Sequence, residues 1–356
     1  MTTTSRRHHI PYIPSVLLIA LLLVFTSTPA HAQFGLAPVR AQEYVRVTPE
    51  NYVRAESDIQ MRGYIDKFDS FGKFHHNRAA YDVNNQITIR GNRDTYYSFG
   101  VFDLTSPLTV ELPETNGRYQ SLMIVSQNHS IWGIYGPKKG ILTVDNVGSR
   151  YAFLVIRTFV DPNDEADVAS AYKLQDQVRF QQADMGSFEV PAWKIEEVEE
   201  ARSVINFTGS TVQDWGKAFG VKEELDTVYW MLGAAYGWGG LPAKAATYQN
   251  VVPEQNDGQT AYTLTAKDVP VDAFWSVTLY DDKGLMPVNK YNAYSFNDVT
   301  AKTNEDGSIT IHFGGDPTAD NFLPIVPGWN YIVRLYRPRK EILDGTWTLP
   351  SPEAVK

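Results

Sequence analysis

The chain has 356 residues, 43% of them hydrophobic, and a formal net charge of −9 at pH 7. It contains no cysteine, which excludes disulfides, thiol nucleophiles, thiolate metal sites and a lipid-modified N-terminal cysteine. An acidic chain without a basic cluster is also a poor nucleic-acid binder, because neutralising phosphates requires lysine and arginine.

Residues 1–32 have the pattern of a secretory signal peptide. Arg6 and Arg7 precede an apolar run at Ser15–Phe25, and the small residues Ala30 and Ala32 fit a cleavage site. Because the run is short for a membrane span, we expect cleavage near Ala32 rather than retention as an anchor. The arginine pair hints at twin-arginine export, but histidines follow it where apolar residues are expected, which favours the general secretory route. The sequence therefore predicts a periplasmic or secreted protein with no membrane span after cleavage.

Residues 40–162 are predicted to form a β-sandwich, with strands from about residue 45. The run "DTYYSFGVFD" (94–103) alternates strictly and places Thr95, Tyr97, Phe99 and Val101 on one face. Strict alternation is typical of a half-buried strand. The segment "ETNGR" (114–118) lies between two alternating runs, as the turn of a hairpin requires.

Residues 163–240 are predicted to form a helical bridge. Asp161 is a candidate N-cap with Pro162 at the first helical position, and acidic residues follow in the first turn. The runs "WKIEEVEEARSVI" (193–205) and "EELDTVYWMLGAAYGW" (223–238) predict two further helices, the second of which ends at Gly239 and Gly240.

Residues 241–350 are predicted to form a second β-sandwich that is related to the first. "DAFWSVTLYD" (272–281) repeats "DTYYSFGVFD" at an offset of 178 residues, and "GWNYIVRLYR" (328–337) repeats "GSRYAFLVIR" (148–157) at an offset of 180. Two matches at nearly one offset indicate an internal duplication. The predicted fold is mainly β: two tandem jelly-roll-like β-sandwich domains joined by a helical segment.

Five motifs carry a resemblance to a known family: "NRDTYYSFGVFDL", "VGSRYAFLVIRTFVDP", "VDAFWSVTLYD", "PVNKYNAYS" and "LPIVPGWNYIVRLYRPRKEILDGTW". With these motifs the chain resembles a bacterial exported family that pairs the domains of unknown function 1254, in its N-terminal half, and 1214, in its C-terminal half. The resemblance implies export and two jelly-roll-like β-domains. The activity of the family is not settled, so the resemblance assigns no catalytic residue.

The repeat separates polar residues that serve the fold from those that are free to form a site. Four pairs occupy matching positions and are best explained by structural roles: Asp94 and Asp272, Ser98 and Ser276, Asp103 and Asp281, and Arg157 and Arg337. By contrast, the second copy has no counterpart of Asn92, Arg93, His129, Trp132 or Tyr135. We therefore expect a site among these unmatched residues.

Each candidate suits a definite chemical task. Arg93 can clamp a carboxylate or phosphate, His129 can move a proton and Trp132 can stack on a ring. His129, Arg93 and Asp94 are the candidate catalytic residues, and Asn92 and Tyr135 are further ligand-binding candidates. The alternative interpretation is a surface arginine, a hydrogen-bonded histidine and a core tryptophan.

Two further tryptophans lie in loop-like segments. Trp238 in "YGWGGLP" and Trp329 in "PGWNY" are candidate platforms for a sugar ring. The alternative is that large aromatic side chains fill the sandwich cores.

The histidines give only a weak metal hypothesis. His75 and His76 are adjacent, so on a strand they face opposite ways and cannot both bind one ion. His75 and His129, with an aspartate, are the candidate ligands. A divalent metal is not favoured, and no cofactor is evident.

Three functions remain open. The first is a binding protein for a small molecule, a glycan or an envelope partner. The second is a cysteine-free hydrolase or lyase that uses a His/Arg/Asp site in the N-terminal domain, which requires those groups to converge in one pocket. The third is a structural or assembly role in the cell envelope, which predicts a large apolar surface patch. The sequence favours the first function slightly and does not predict the oligomeric state.

Overall fold

The computed structural model describes residues 44–86, 90–136, 138–209, 211–212 and 215–355, without the side chains of Ile134 and Tyr135. The predicted signal peptide and its cleavage site at Ala32 lie outside the described residues. Within these ranges no helix is both long enough and apolar enough to cross a membrane.

The described chain contains six α-helices and two short 3₁₀ helices. The α-helices are α1 (Tyr52–Phe68), α2 (Val144–Val147), α3 (Glu165–Gln177), α4 (Ile195–Gly209), α5 (Thr227–Gly237) and α6 (Lys340–Leu343). The 3₁₀ helices are Trp215–Lys217 and Lys222–Glu224.

Sixteen strands of the described chain form four sheets, which confirms the mainly β fold. They are β1 (His75–His76), β2 (Thr95–Asp103), β3 (Leu108–Glu111), β4 (Gln120–Ser126), β5 (Ile131–Tyr135), β6 (Lys139–Leu142), β7 (Tyr151–Phe159), β8 (Arg179–Gln182), β9 (Ala246–Val251), β10 (Tyr262–Ala266), β11 (Trp275–Tyr280), β12 (Ser295–Asn297), β13 (Ile309–Phe313), β14 (Phe322–Leu323), β15 (Asn330–Tyr336) and β16 (Glu353–Ala354).

Each half of the chain pairs two sheets around a core of its own. In the N-terminal half, the sheet β1-β2-β7-β4-β5 packs on the sheet β6-β3-β8 through residues such as Phe102, Leu122 and Leu154. In the C-terminal half, the sheet β12-β11-β15-β9 packs on the sheet β14-β13-β10-β16 through residues such as Val277 and Phe313. The predicted jelly-roll connectivity stays a prediction.

A third core joins the two halves. It contains Val101 and Phe153 from the N-terminal sheet, Met61 from α1, and Phe274 and Tyr336 from the C-terminal half. The sheets β1-β2-β7-β4-β5 and β12-β11-β15-β9 are therefore covered on both faces. The prediction that the strands at 94–103 and 272–281 are half-buried is wrong, because alternation here separates two buried environments and not core from solvent.

The segment at 52–68 is a second correction, because it forms helix α1 where the sequence predicted strands. Its buried residues include Glu56 and Asp58, so the apolar period that identifies an amphipathic helix is broken by buried acids. Glu56 pairs with Arg202 of α4 at 2.9 Å, and Asp58 accepts hydrogen bonds from Gln127 and Trp193. The helix is fixed by these distant partners, which a local pattern does not reveal.

The helical bridge contains the three expected helices, but their starts shift: α5, for example, begins at Thr227, four residues after the predicted start at Glu223. Helix α3 begins at Glu165 with Asp164 as its N-cap, three residues after the predicted cap Asp161. The bridge also supplies β8, which pairs with β3 of the N-terminal half. The bridge is therefore built into the N-terminal sandwich.

The strand register revises one half of the repeat. Tyr97 pairs with Arg157 in the N-terminal sheet, whereas its counterpart Trp275 pairs with Leu335 in the C-terminal sheet. Leu335 is thus the structural counterpart of Arg157, and the predicted match with Arg337 is wrong by two residues. Arg337 lies beyond the end of β15, in the left-handed region with φ of 52°.

Candidate functional site

The turn at residues 90–94 anchors one half of the molecule to the other. The backbone oxygen of Gly91 accepts a hydrogen bond of 2.6 Å from the Tyr280 hydroxyl. Asp94 is 1% exposed, and its Oδ2 accepts a hydrogen bond of 2.6 Å from the Ser276 hydroxyl. Asp272, its sequence counterpart, is instead half-exposed and pairs with Arg339 at 2.7 Å. The prediction that these two aspartates do the same work is therefore wrong.

Asn92 and Arg93, the unmatched residues of this turn, are also engaged in the interface. Asn92 donates from Nδ2 to the hydroxyls of Tyr336 (2.9 Å) and Tyr97 (3.4 Å). Arg93 donates to the backbone oxygen of Tyr81 and lies 5.2 Å from the centre of the Tyr294 ring. The cavity beside Arg93 is about 20 Å³, roughly the space for one water molecule. The turn therefore does not form an anion-binding pocket of ligand size.

His129 lies far from this turn, so the predicted catalytic set does not form. Asp94 lies beside the end of β7 that contains Phe159. His129 lies near the opposite end of β7, because its backbone N–H bonds to Ser126, which pairs with Ala152. The seven residue-to-residue steps of β7 from Ala152 to Phe159 span roughly 23 Å. A proton cannot pass between groups at that separation without intermediates.

His129 has a structural environment of its own. Its ring is 0% exposed, lies 6.2 Å from the Trp238 ring, and accepts a hydrogen bond at Nε2 from the backbone N–H of Gly239. Burial lowers the pKa of His129 to about 3, so the imidazole is neutral at physiological pH. The histidine thus connects the β4–β5 loop to the end of the helical bridge.

The aromatic candidates lie in or against the cores. Trp329 is 0% exposed and packs 5.0 Å from the Phe313 ring, so its prediction as an exposed platform is corrected. Trp238 is partly buried, with Nε1 donating to Ser57, and Trp132 is partly buried against the N-terminal core. The side chain of Tyr135 lies outside the described residues.

The metal candidates are not brought together. The ring of His75 lies 5.2 Å from the Phe99 ring, and His76 is bonded to Ser98 at 2.8 Å. In the described part of the chain, no three histidine, aspartate or glutamate residues are placed to hold one ion. His75 and His129 therefore lack a third ligand there.

A cavity large enough to hold a ligand lies between the two halves. It has a volume of about 710 Å³ and is lined from the N-terminal half by residues 114–120, 136 and 159, from α3 by residues 167 and 170, and from the C-terminal half by residues 272–274, 299 and 337. We call this cavity the interdomain cleft. Its size falls in the ordinary range for small-molecule sites, which often lie between domains.

The floor of the cleft is aromatic. Phe274 of the C-terminal half packs 5.3 Å from the Tyr119 ring and 4.9 Å from the Phe159 ring, and it stacks on Tyr336 at 4.2 Å. Aromatic faces of this kind bind rings by stacking and exclude water from polar contacts beside them.

The rim of the cleft is charged. Arg118 forms a two-point ion pair with Asp167, and although burial opposes ionisation, this arginine holds the pKa of Asp167 below its usual value. Across the opening, Arg339 lowers the pKa of Asp272, and Arg337 lies 3.8 Å from that carboxylate. The rim thus presents both signs of charge to a ligand.

A second polar row lies directly behind the floor. On β7, Phe159 lies beside Tyr119 of the neighbouring chain segment. Arg157 is two residues away on the same face of β7, where it pairs with Tyr97 on one side and with Ser121 on the other. Successive rows on one face are roughly 7 Å apart, so Arg157 lies about that far behind the floor. No local sequence pattern indicates the cleft, because its residues become neighbours only when the two halves pack.

The comparisons with known proteins agree with this architecture. Residues 71–140 match the family model for the protein of unknown function DUF1254, and residues 244–340 match that for DUF1214. The two models follow in the order that the sequence motifs indicated, so that resemblance is confirmed. No functionally curated protein matches the chain.

Two solved structures match the chain. The VPA0106 protein of Vibrio parahaemolyticus has a TM-score of 0.64 at 18% identity, over 86% of this chain and 98% of that one. An uncharacterised protein of Burkholderia cenocepacia has a TM-score of 0.46 at 12% identity, over 86% and 88% of the two chains. The likeness to the VPA0106 protein concerns the fold alone.

Proposed function

We propose that this protein binds a small molecule in the interdomain cleft. The proposal rests on the geometry of the cleft, because the domains 1254 and 1214 that the chain carries have no known function. The observation that carries this proposal is the cleft of about 710 Å³ between the two halves, with an aromatic floor and a charged rim. Neither half alone provides both walls, so the binding site depends on their packing.

The lining suggests the class of ligand. Tyr119 offers a partly exposed aromatic ring backed by the buried Phe274, while Glu114, Asp167 and Arg337 offer charged groups of both signs at the edge. A molecule with one planar or sugar-like ring and several polar substituents satisfies both surfaces. Short glycans and ring-bearing metabolites belong to this class.

Export is the second part of the proposal. The signal-like segment at residues 1–32 directs the protein to the periplasm or out of the cell, where it binds small molecules or glycan fragments. This part is tested by sequencing the N-terminus of the protein recovered from the periplasm, where we expect it to begin after Ala32. A protein that keeps residues 1–32 in the cytoplasm would contradict it.

The binding role is tested by filling the cleft. Ala273 lines the cleft and is partly exposed, so Ala273→Trp should occupy the space of the ligand. A thermal-shift screen of mono- and oligosaccharides and ring-bearing metabolites should give ligands that stabilise the wild type but not this variant. Ala319→Trp is the matched control, because Ala319 is also partly exposed in the C-terminal half but does not line the cleft. Ligands that stabilise both variants equally would place the site elsewhere.

A further inference from the structure

Arg157 carries a buried positive charge without a carboxylate partner. Arg157 is among the buried polar groups, at 9% exposure; its guanidinium lies 3.7 Å from the Met123 sulfur and 5.3 Å from the centre of the Tyr97 ring, and it forms a hydrogen bond with the Tyr97 side chain. In the described ranges, no aspartate or glutamate forms an ion pair with it. Removing a charge from water costs several kcal/mol unless an opposite charge or good hydrogen bonds offset it.

Arg334, the other buried arginine of this interface, shows what a satisfied guanidinium looks like. At 4% exposure it donates to the Thr278 and Tyr280 hydroxyls and to two backbone oxygens of the 90–94 turn. It also experiences the negative charge of Asp94. The two arginines therefore differ in their partners, although both are buried between the same two sheets.

Hydroxyl groups surround Arg157 from both halves of the molecule. The hydroxyls of Tyr97, Tyr119 and Tyr248 all interact electrostatically with its guanidinium. The Tyr97 hydroxyl already accepts a hydrogen bond from Asn92, which leaves its own proton to donate. Guanidinium and phenol donors thus converge without an acidic acceptor, as at sites that bind oxyanions.

Tyr248 is the most exposed member of this cluster. It lies on the edge strand β9 and is 46% exposed, although its hydroxyl faces the two buried arginines. Arg157 therefore lies between the cleft floor and a half-exposed tyrosine.

We propose that Arg157, with the hydroxyls of Tyr97 and Tyr248, binds an oxyanion, the carboxylate or phosphate group of the ligand. The assignment rests on the proposed function, since the anionic group belongs to the molecule whose ring lies on the cleft floor. The guanidinium supplies two parallel donors that match either oxyanion.

The experiment compares the two buried arginines with probes that need no knowledge of the full ligand. The melting temperature is measured in acetate and in inorganic phosphate, with chloride at equal ionic strength as the reference. We expect the wild type to be stabilised progressively as one of these oxyanions is added. Acetate responding more than phosphate indicates a carboxylate ligand, and the reverse order indicates a phosphate.

The matched substitutions are Arg157→Met and Arg334→Met. The first should raise the melting temperature in chloride and abolish the oxyanion response, because it removes an uncompensated charge. The second should lower the melting temperature, because it removes four buried hydrogen bonds and the positive charge that balances Asp94. A lower melting temperature for both variants would overturn the proposal, since Arg157 would then be a satisfied structural residue.

A milder variant keeps the test decisive if Arg157→Met does not fold. Tyr248→Phe retains the charge and removes one donor from a half-exposed side chain, so the oxyanion response should weaken several-fold with little change in chloride. An unchanged response would remove Tyr248 from the site and refute the assignment.

The remaining alternative is an internal counter-charge. Burial alone would raise the pKa of Tyr97, but the charge of Arg157 and the hydrogen bond from Asn92 lower it below its ordinary value. Tyr64, Tyr248 and Tyr336 also face this hydroxyl. Phenolate absorbance near neutral pH that disappears in Tyr97→Phe would show that Tyr97 neutralises Arg157, and would overturn the proposal.

These outcomes are separable from the binding role itself. A ligand lost in Ala273→Trp but retained in Arg157→Met supports the cleft and rejects the anion site. An acetate or phosphate response that survives Ala273→Trp but not Arg157→Met supports the anion site. If the same Ala273→Trp variant is still stabilised by every ring-bearing ligand that stabilises the wild type, the cleft is rejected while the anion site stands.

Discussion

At the scale of single residues, burial decides which polar side chains are available for chemistry. Judged from the sequence, His129, Arg93 and Asp94 are all residue types able to take part in chemistry, yet the structure places all three in contacts that hold the fold together. Arg157 looked like one member of a repeated structural pair, yet no aspartate or glutamate in the described part of the chain pairs with its buried charge. Residue type therefore identified groups able to do chemistry, and only their surroundings separated the occupied groups from the available one.

His129 gives a prediction about pH. Its pKa is lowered by burial to about 3 in the folded protein, against about 6.5 in the unfolded chain. Between these values the unfolded state binds the extra proton, so the free energy of unfolding should fall as pH falls, by at most about 1.4 kcal/mol per unit. Urea denaturation at a series of pH values measures this slope.

The variant and its control isolate the contribution of this one histidine. His129→Asn, a residue that tolerates the positive φ of 55° at this position, should remove that part of the slope. His312→Asn, on β13, controls for the loss of a histidine from the unfolded chain. If His129→Asn and the wild type have the same slope, the buried neutral imidazole is refuted.

At the scale of elements, the turn at 90–94 connects two domains. Its backbone oxygens accept hydrogen bonds from Tyr280 and Arg334, and Asp94 accepts one from Ser276. A turn in front of an alternating strand is readable in the sequence, but the sheet against which it packs is 178 residues away. Asymmetry between the repeats was a real signal here, and it marked an interface where the sequence analysis expected a reactive site.

The two aspartates of the repeat provide a matched test of this role. Asp94→Asn should cost about 2–4 kcal/mol, because it removes a buried carboxylate that bonds Ser276 and that balances Arg334. Asp272→Asn should cost less than about 1 kcal/mol, because its ion pair with Arg339 is exposed. Chemical denaturation of both variants measures the difference, and equal costs would contradict the asymmetry.

At the scale of the whole molecule, the two β-rich halves share a core and are not structurally independent domains. Met61 of α1, Phe153 of the N-terminal sheet and Phe274 and Tyr336 of the C-terminal half belong to one buried cluster. The interdomain cleft opens at the edge of this cluster. Its shape therefore depends on how the halves pack, and a change at the shared core should alter ligand binding as well as stability.

The shared core predicts cooperative unfolding. We expect one thermal transition, with coincident curves from circular dichroism and tryptophan fluorescence and with equal calorimetric and van't Hoff enthalpies. A fragment of residues 241–355 should be unstable alone, because Phe274 and Tyr336, now 2% and 1% exposed, would face water. Two separate transitions, or a fragment that melts like the intact protein, would show that the halves are independent.

The sequence by itself determined the class of fold, the strands at 94–103 and 272–281, and most of the helical bridge, because alternation and helix caps are local signals. It did not determine helix α1, whose buried acids are satisfied by Arg202, Gln127 and Trp193. Only the tertiary structure decided that both faces of the main strands are buried. Only it decided that the cleft lies between Tyr119 and Phe274, because contacts between residues 155 positions apart leave no local pattern.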